Sequence, residues 1–428
     1  MTRMQREPVA PLTPASSVPG RSSHPAPWRA LRAWIASPPV REPLAVFVLS
    51  RGLFLLLTYF GVILFNSQLH GPHPSFLHQL LPAWNNAPLL LGNRRWDTEW
   101  YLGIAQQGYG WKRDAGTSPA AFFPLYPLLI RAGVALTHRS YIVVALVVSN
   151  LAFLAGLGYL WRLAERETDR TVAGRTALYI AVFPTALFFF AGYTESLFLL
   201  LSVASFFHMR RRQWLLAGLF GAFASAMRVT GVLLVLPLVY EYARDRNFSP
   251  RAILSGTGLL GAALVPVGLL TFMVYLQQTV GDALAFTHSQ VAWQKIFTPW
   301  LWAGLLESFR QIFVVQPWAS FYQAHNVINL VLGGLFLALS YFAARQLPRA
   351  YGIYLAAFWL VTLASPAIAG GYPVPLISLS RYILTLFPVF LYMGMLGRRQ
   401  AVHDAYLVLA VGMLALLTVQ FVNGGWVI

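Results

Sequence analysis

The segment FPTALFFFAGYTESLFLLLSVASFF, residues 183–207, contains a single charged side chain, that of Glu195. It joins two apolar runs, 174–191 and 195–209, that are long enough to be predicted as membrane helices. A charge in the hydrocarbon core of a bilayer costs about 2.5–3.5 kcal/mol, so such residues are usually functional. The alternative is an acid that extends from an outer helix end into water. The segment therefore predicts two helices that meet at a carboxylate near a membrane surface.

The rest of the chain has a similar composition. Of its 428 residues, 57% are hydrophobic and only 11% are charged. A soluble fold of this length needs much more charge on its surface, and only helices or closed barrels span lipid. The absence of Cys excludes disulfides and thiol-ligated metals. We therefore predict an all-α polytopic membrane protein.

Further apolar runs predict about eleven transmembrane helices in total, with 214–241 counted as two short crossings around Arg228. Prolines in 122–137 favour an interfacial or re-entrant segment there, and the aromatic–Pro repeats FFPLYP, VFPTAL and LFPVF indicate helix kinks. The nine runs counted as single crossings are 44–66, 141–163, 174–191, 195–209, 253–276, 326–343, 351–369, 382–396 and 403–421.

The formal charge of +17 arises from basic residues in short clusters between the apolar runs. This distribution is typical of membrane orientation, so no nucleic-acid partner is expected. Placing the N-terminus in the cytoplasm collects most of the 31 Lys and Arg residues on that side. The long loops 67–140 and 277–325 then face outward from the cell (plasma) membrane. Residues 1–41 are predicted to be a disordered basic cytoplasmic segment, and 42–428 the transmembrane domain.

Within the first outward loop, the segment RRWDTEWYLGIAQQGYG covers residues 94–110. Its apolar positions follow helical spacing, and Gly108 is expected to close that helix. Asp97 falls where an N-cap is expected, and a carboxylate there is held ionised and oriented. From its position alone, Asp97 is either a helix cap or a catalytic base.

Two arginines, Arg228 in SAMRVTGVLL and Arg381 in LISLSRYILTLFP, are isolated cations in apolar sequence. Each needs an anion, and few outward carboxylates are available. A phosphate bound at the membrane surface would supply it, because a guanidinium group binds phosphate oxygens in bidentate fashion. The alternative is an interfacial arginine that reaches lipid headgroups.

These motifs together resemble a known family. The segments RWDTEWYLGIAQQGYG, AAFFPLYPLLIR, FPTALFFFAGYTESLFLLLSVASFF and LLAGLFGAFASAMRVTGVLL are similar to the family of GPI mannosyltransferase II (PIG-V), specifically to its bacterial relatives. The resemblance covers 94–240, with a weaker match at SRYILTLFPVF around Arg381. The loop 277–325 matches nothing identifiable.

The resemblance implies a GT-C-type glycosyltransferase with juxtamembrane helices in a large first extracytoplasmic loop. Such an enzyme transfers a sugar, here mannose, with inversion from a polyprenyl-phosphate-sugar donor to a glycolipid or glycan acceptor at the lipid bilayer. Asp97 is then the catalytic base. The implied substrate-binding residues are Arg95, Trp96, Glu99, Tyr101, Tyr193, Thr194, Glu195, Arg228 and Arg381. No cofactor is implied; Asp97, Glu99 and Glu195 could hold a divalent metal, but no spacing demands one.

Two other classes of protein compete with this interpretation. In a lipid or glycolipid transporter or flippase, the buried Arg and Glu residues would line a pathway. However, the sequence shows neither an inverted repeat nor paired broken helices near mid-membrane. An envelope binding protein could use the Trp–Asp–Thr–Glu loop to hold a sugar without reacting with it. Transfer of labelled sugar from a polyprenyl-phosphate donor separates all three.

Overall fold

The computed structural model describes residues 36–65, 96–110 and 118–427. Most of the expected disordered segment, residues 1–35, therefore lies outside the described residues, as do Arg95 and much of the first outward loop. The first helix already begins at Pro38. Within the described ranges the only extended pairing is one isolated antiparallel bridge, between Lys295 and Ala367. The described chain is thus essentially all helical.

The α-helices are numbered here in chain order. They are α1 Pro38–Phe65, α2 Asp97–Gln107, α3 Leu125–Thr137, α4 Tyr141–Glu167, α5 Arg170–Ala181, α6 Glu195–Arg210, α7 Trp214–Ser225, α8 Val235–Asp245, α9 Pro250–Leu254, α10 Gly258–Leu264, α11 Val267–Thr279, α12 Ala285–His288, α13 Ala303–Arg310, α14 Phe321–Gln346, α15 Arg349–Leu363, α16 Leu379–Tyr382, α17 Phe387–Leu396 and α18 Gln400–Val422. Short 3₁₀ or π segments cover Pro119–Ala121, Ala186–Phe189, Val229–Leu234, Ser289–Trp293, Gln311–Val315, Ala369–Gly371 and Ile383–Thr385.

The chain is a multi-pass membrane protein. Among the described residues, five helical stretches are long and apolar enough to cross a bilayer: α1, α4, α10 with α11, α14 and α18. A sixth is possible if the bent pair around Phe387 is one span. The shorter apolar helices α3, α7 and α15 do not meet the same length. The count of eleven crossings therefore stays a prediction.

The aromatic–Pro sequences interrupt helices, although in two ways. In the LFPVF segment the helical stretches Leu379–Thr385 and Phe387–Leu396 are bent by 76° relative to each other, and Pro388 lies in the first turn of the second, so the predicted kink is confirmed. Near Pro184 the helix α5 stops instead, at Ala181, because proline disfavours helical geometry in the residue before it and lacks an N–H. Pro124 similarly precedes α3, a helix of 13 residues. At about 20 Å, α3 is shorter than the roughly 30 Å hydrocarbon core.

The short helix α6 lies at the centre of the bundle, packed against α4 and α7. Most of its residues are buried, including serines whose hydroxyl groups bond inside the protein. Ser205, for example, donates to the carbonyl of Ala217 on α7 at 2.8 Å. Close packing continues outward where Gly218 of α7 meets Gly261 of α10, since a Cβ on Gly218 would lie 2.0 Å from the Gly261 carbonyl oxygen.

The break before α6 exposes backbone carbonyls that side chains from neighbouring helices satisfy. Arg51 on α1 donates to the Phe189 carbonyl at 3.1 Å, and Ser196 donates to the same oxygen at 3.0 Å. Ser149 on α4 donates to the Tyr193 carbonyl at 2.9 Å. Irregular backbone at membrane depth is tolerated only where it is satisfied in this way. These bonds fix the position of the residues that lead into Glu195.

Candidate active site

A cavity of about 1020 Å³ lies beside the N-terminal end of α6. Its wall combines apolar and aromatic side chains with a small group of charged ones, as is typical of ligand sites. Thr194 and Glu195 are not in the wall but are buried next to residues that are, and Arg95 is outside the described residues. The predicted site residues that line the cavity are Trp96, Asp97, Glu99, Tyr101, Tyr193, Arg228 and Arg381.

Asp97 is the first residue of α2 and does not cap it. The preceding Trp96 occupies the cap position with a φ of 59° and makes no side-chain capping bond. The predicted N-cap role of Asp97 is therefore wrong, because the helix starts one residue too early for it. Gly108 closes α2 as predicted, with its N–H bonded to Ile104 O at 2.9 Å. The Asp97 carboxylate instead accepts a hydrogen bond from Arg381 Nη1, through Oδ2 at 2.5 Å.

Glu195, the first residue of α6, is fully buried. Its Oε1 forms an ion pair with Arg228 Nη2 and lies 3.4 Å from Arg381 Nε. Its other oxygen, Oε2, has no hydrogen-bond partner. The N-terminal end of a helix also favours negative charge. The carboxylate is thus held beneath the cavity by two cations, so the alternative of an acid extending into water does not fit its position.

Arg228 and Arg381 are not the isolated cations that their apolar sequence neighbourhoods suggested. Arg381 bridges Asp97 and Glu195, and Arg228 pairs with Glu195 while its Nε donates to Thr194 Oγ1 at 3.3 Å. Although few outward carboxylates were expected to be available to them, both arginines have carboxylate partners, which come from distant parts of the chain. The Arg381 side chain is still 10% exposed and that of Arg228 is 16% exposed, and both line the cavity.

Tyr101 connects α2, which begins with Asp97, to the turn before α6, which begins with Glu195. Its hydroxyl lies 3.3 Å from Thr194 Oγ1, immediately before α6. Burial, reinforced by the charges of Asp97 and then Glu195, raises the pKa of Tyr101. The hydroxyl therefore stays protonated at neutral pH and can hold α2 against the turn before α6.

Sequence reasoning missed two cavity residues, Lys295 and Tyr382. Lys295 Nζ donates to the Tyr382 hydroxyl at 2.9 Å, and both residues line the cavity. Tyr382 follows Arg381 directly, so the arginine motif could have drawn attention to it. Lys295 is one of only two lysines in a chain whose other basic residues are arginines, and that rarity was its only signal.

A metal site is not evident in the part of the chain that the structure describes. No group of three or more His, Asp or Glu side chains there is placed to hold an ion. Asp97, in the cavity wall, and Glu195, buried next to it, both contact guanidinium groups.

The amino-acid sequence of the chain matches a family of mannosyltransferases and individual proteins named as mannosyltransferases. The sequence model of the family Mannosyltransferase (PIG-V) matches residues 41–287. GPI alpha-1,6-mannosyltransferase 2 of Mus musculus is 28% identical over 44% of this chain and 41% of its own length. GPI mannosyltransferase 2 of Yarrowia lipolytica is 24% identical over 60% of this chain and 68% of its own length.

The chain thus spans from two fifths to about two thirds of the length of these two relatives. Among solved structures, ArnT from Cupriavidus metallidurans bound to undecaprenyl phosphate shows a partial likeness. Its TM-score is 0.48, with 15% identity over 80% of this chain and 62% of that one. The family match covers more than half of the chain, from the first membrane helix to the start of the second long loop. The chain belongs to the mannosyltransferase (PIG-V) family.

Proposed function

We propose that this protein is an integral-membrane, GT-C-type mannosyltransferase. It moves mannose with inversion from a polyprenyl-phosphate-sugar donor to an extracytoplasmic glycolipid or glycan acceptor. The observation that carries the proposal is a cavity whose wall holds the carboxylate of Asp97 in contact with the guanidinium group of Arg381, with that of Arg228 close by. Membership of the mannosyltransferase family supports the choice of sugar.

Asp97 is the proposed general base. Inverting transfer needs one base to take the proton of the acceptor hydroxyl as its oxygen attacks the anomeric carbon. The bond between that carbon and the donor's phosphate oxygen breaks in the same step. Asp97 Oδ2 accepts a hydrogen bond from Arg381, whereas Oδ1 makes no hydrogen bond to any described residue.

Arg228 and Arg381 are the proposed phosphate-binding groups. The leaving group changes from a phosphodiester with one negative charge to a phosphate monoester that carries up to two. Guanidinium groups aimed at those oxygens stabilise the charge as it develops. Both arginines already hold carboxylates, so donor binding would share or exchange these partners. Arg381 can release Asp97 in that exchange, which would free the base when the donor is present.

The aromatic wall and the membrane suit a lipid-linked donor. Phe297 lines the cavity and is 82% exposed, which places a large apolar side chain where a polyprenyl tail could enter from lipid. Trp293, from the second long loop, contacts Trp100 of the first with ring centroids 6.0 Å apart. Contact between the two loops supports placing both on one side of the membrane. We propose the extracytoplasmic side of the plasma membrane, with the N-terminus in the cytoplasm.

The test is transfer from radiolabelled polyprenyl-phosphate-mannose by purified protein in nanodiscs, with extracted envelope lipids as acceptors. The proposal predicts labelled mannose in a new product with inverted anomeric configuration, and release of polyprenyl phosphate. Vesicles that contain the protein and the same donor separate the rival function. Movement of intact donor between leaflets without loss of its sugar would identify a flippase instead.

A further inference from the structure

Lys295 differs from Arg228 and Arg381 in that no carboxylate of the described residues pairs with it. Asp97 and Glu195 pair with Arg381 and Arg228, which gives these four side chains no net charge. Within the described ranges, Lys295 forms no salt bridge, and its ammonium group donates to the hydroxyl of Tyr382. Glu99 also lines the cavity, but it has no ion pair with Lys295.

Lys295 is held at the cavity from two directions. On one side, the antiparallel pairing of Lys295 with Ala367 is continued by the bond from Ile296 N–H to Pro366 O at 3.1 Å. On the other side, Trp293 packs edge-on against Phe122, with ring centroids 5.6 Å apart. A lysine on a loose surface loop would not need such anchors, so the loop fixes where the ammonium group lies.

The ring of Tyr382 gathers three cations. Lys295 Nζ lies 4.9 Å from its centroid, and the guanidinium carbons of Arg228 and Arg381 each lie 5.6 Å from it. All four side chains line the cavity. Cations that are brought together in this way repel one another unless anions are present, and Asp97 and Glu195 pair with the arginines. The ammonium group of Lys295, with which no described carboxylate pairs, suits a ligand with a phosphate group.

We infer that Lys295 binds the phosphate of the lipid-linked donor, with Tyr382 positioning its ammonium group. This assignment rests on the proposed function and extends it to the part of the loop 277–325 that lies beyond the family match, which ends at residue 287. A donor phosphodiester carries one negative charge, which Lys295 balances before any bond breaks. Loss of Lys295 therefore weakens donor binding more than it slows the chemical step.

The test uses a short-chain polyprenyl phosphate as probe and the matching polyprenol as a phosphate-free probe, titrated calorimetrically against protein in zwitterionic nanodiscs. Lys295→Met should weaken binding of the phosphate about ten- to hundredfold and leave polyprenol binding unchanged. Lys295→Arg, which keeps the charge, should stay within a few-fold of wild type. Arg310→Ala is the matched control, since Arg310 lies on the same loop, pairs with Glu307 at 3.0 Å and does not line the cavity.

Two results would overturn the inference. One is phosphate binding by Lys295→Met within twofold of wild type, and the other is equal competition by phosphatidylglycerol, which would make this a general headgroup site. If Lys295→Met does not fold, Tyr382→Phe replaces it, and unchanged phosphate affinity in that variant counts against the inference.

In a transfer assay, Lys295→Met should raise the KM for the donor while kcat stays within a few-fold of wild type. Lys295-dependent binding without any sugar transfer would reject the proposed function alone.

Discussion

Two clusters of arginine and carboxylate lie at opposite ends of the same helix, α6. The cavity cluster, at its first residue, consists of Asp97, Glu195, Arg228 and Arg381. The closed cluster, at its last residue, consists of Arg210 with Glu167 and Glu241. The helix has 16 residues, so the clusters are about 24 Å apart. They contain the same chemical groups but differ in what surrounds them.

In the closed cluster, Arg210 bonds to Glu167 at 2.7 Å and to Glu241 at 3.1 Å, and none of the three lines the large cavity. Unsatisfied atoms do not distinguish the clusters, because Glu241 Oε1 and Glu195 Oε2 both lack a hydrogen-bond partner. Access does distinguish them. A buried ion pair becomes a plausible reaction centre only where a cavity lets a ligand reach it, whereas the same pair in a packed bundle joins helices.

The largest expected effect concerns Asp97. Asp97→Asn keeps nearly the same shape but cannot take a proton, so turnover should fall about 10²–10⁴-fold. Since Asp97 makes no capping bond, this substitution should not disturb α2. Glu99→Gln, two residues away, should cost much less. Sugar transfer at matched expression and melting temperature measures both variants, and Asp97→Asn activity within a few-fold of wild type would move the search for the base to Glu195.

Neutralising one carboxylate in each cluster should separate stability from function. Glu195→Gln leaves Arg228 without a carboxylate partner, and breaking a buried pair in this way typically costs about 3–5 kcal/mol. Glu241→Gln should cost less, because Arg210 keeps Glu167 and the Arg244 side chain that loses its partner is 48% exposed. Both variants should therefore melt earlier than wild type. Only Glu195→Gln should also change the affinity for polyprenyl phosphate. Equal losses of affinity in both variants would mean that the cavity cluster has no special role.

A smaller effect is expected when the arginines keep their charge. Lysine lacks the fork with which Arg381 holds Asp97 and Glu195 at once, so Arg381→Lys should weaken donor binding about tenfold. Arg228→Lys should act in the same direction. Arg210→Lys, the counterpart in the closed cluster, should lower the melting temperature but leave the donor's KM unchanged. Wild-type KM in both cavity variants would contradict the assignment of these arginines to phosphate binding.

The smallest effect concerns Asp169, which lies two residues after Glu167. The backbone N–H of Val172 and, after it, the Arg398 guanidinium lower the pKa of the Asp169 carboxyl. Its contribution to stability is thus present above the ordinary Asp pKa of about 3.9 and is lost as the pH falls through the lowered value. Asp169→Asn keeps the cap and should cost only about 0.2–1 kcal/mol. Thermal melts should converge with wild type at low pH, and sugar transfer should not change.

The sequence alone predicts much of the fold for reasons that are local. The spans at 141–163 and 403–421 match α4 and α18, because unbroken apolar runs specify membrane helices. Aromatic–Pro pairs mark interruptions for an equally local reason. Whether a pair produces a kink or a helix end is not visible in the pair itself, as the contrast between the segments around Pro184 and Pro388 illustrates.

The site was only partly predictable, because its pairings are not local. Asp97 and Arg381 are 284 residues apart, and Arg228 and Glu195 are 33 apart. Sequence identified Glu195, Arg228 and Arg381 by their apolar surroundings and Asp97 by its place at the start of a helix, but could not show that they neutralise one another. Lys295 went unnoticed because its partner Tyr382 is 87 residues away and its loop carries no motif. The error at Asp97 has a smaller cause, the left-handed backbone of Trp96.

The central claim is that the cavity end of α6, and not the closed end, binds the phosphate of a lipid-linked sugar. Its most direct test is a cryo-EM structure of the protein in nanodiscs with bound polyprenyl phosphate. We expect the phosphate in the cavity, with oxygens about 3 Å from the guanidinium groups of Arg228 or Arg381, and a weakened contact between Arg381 and Asp97. A phosphate bound beside Arg210, or one in the cavity that touches neither arginine, would contradict the account.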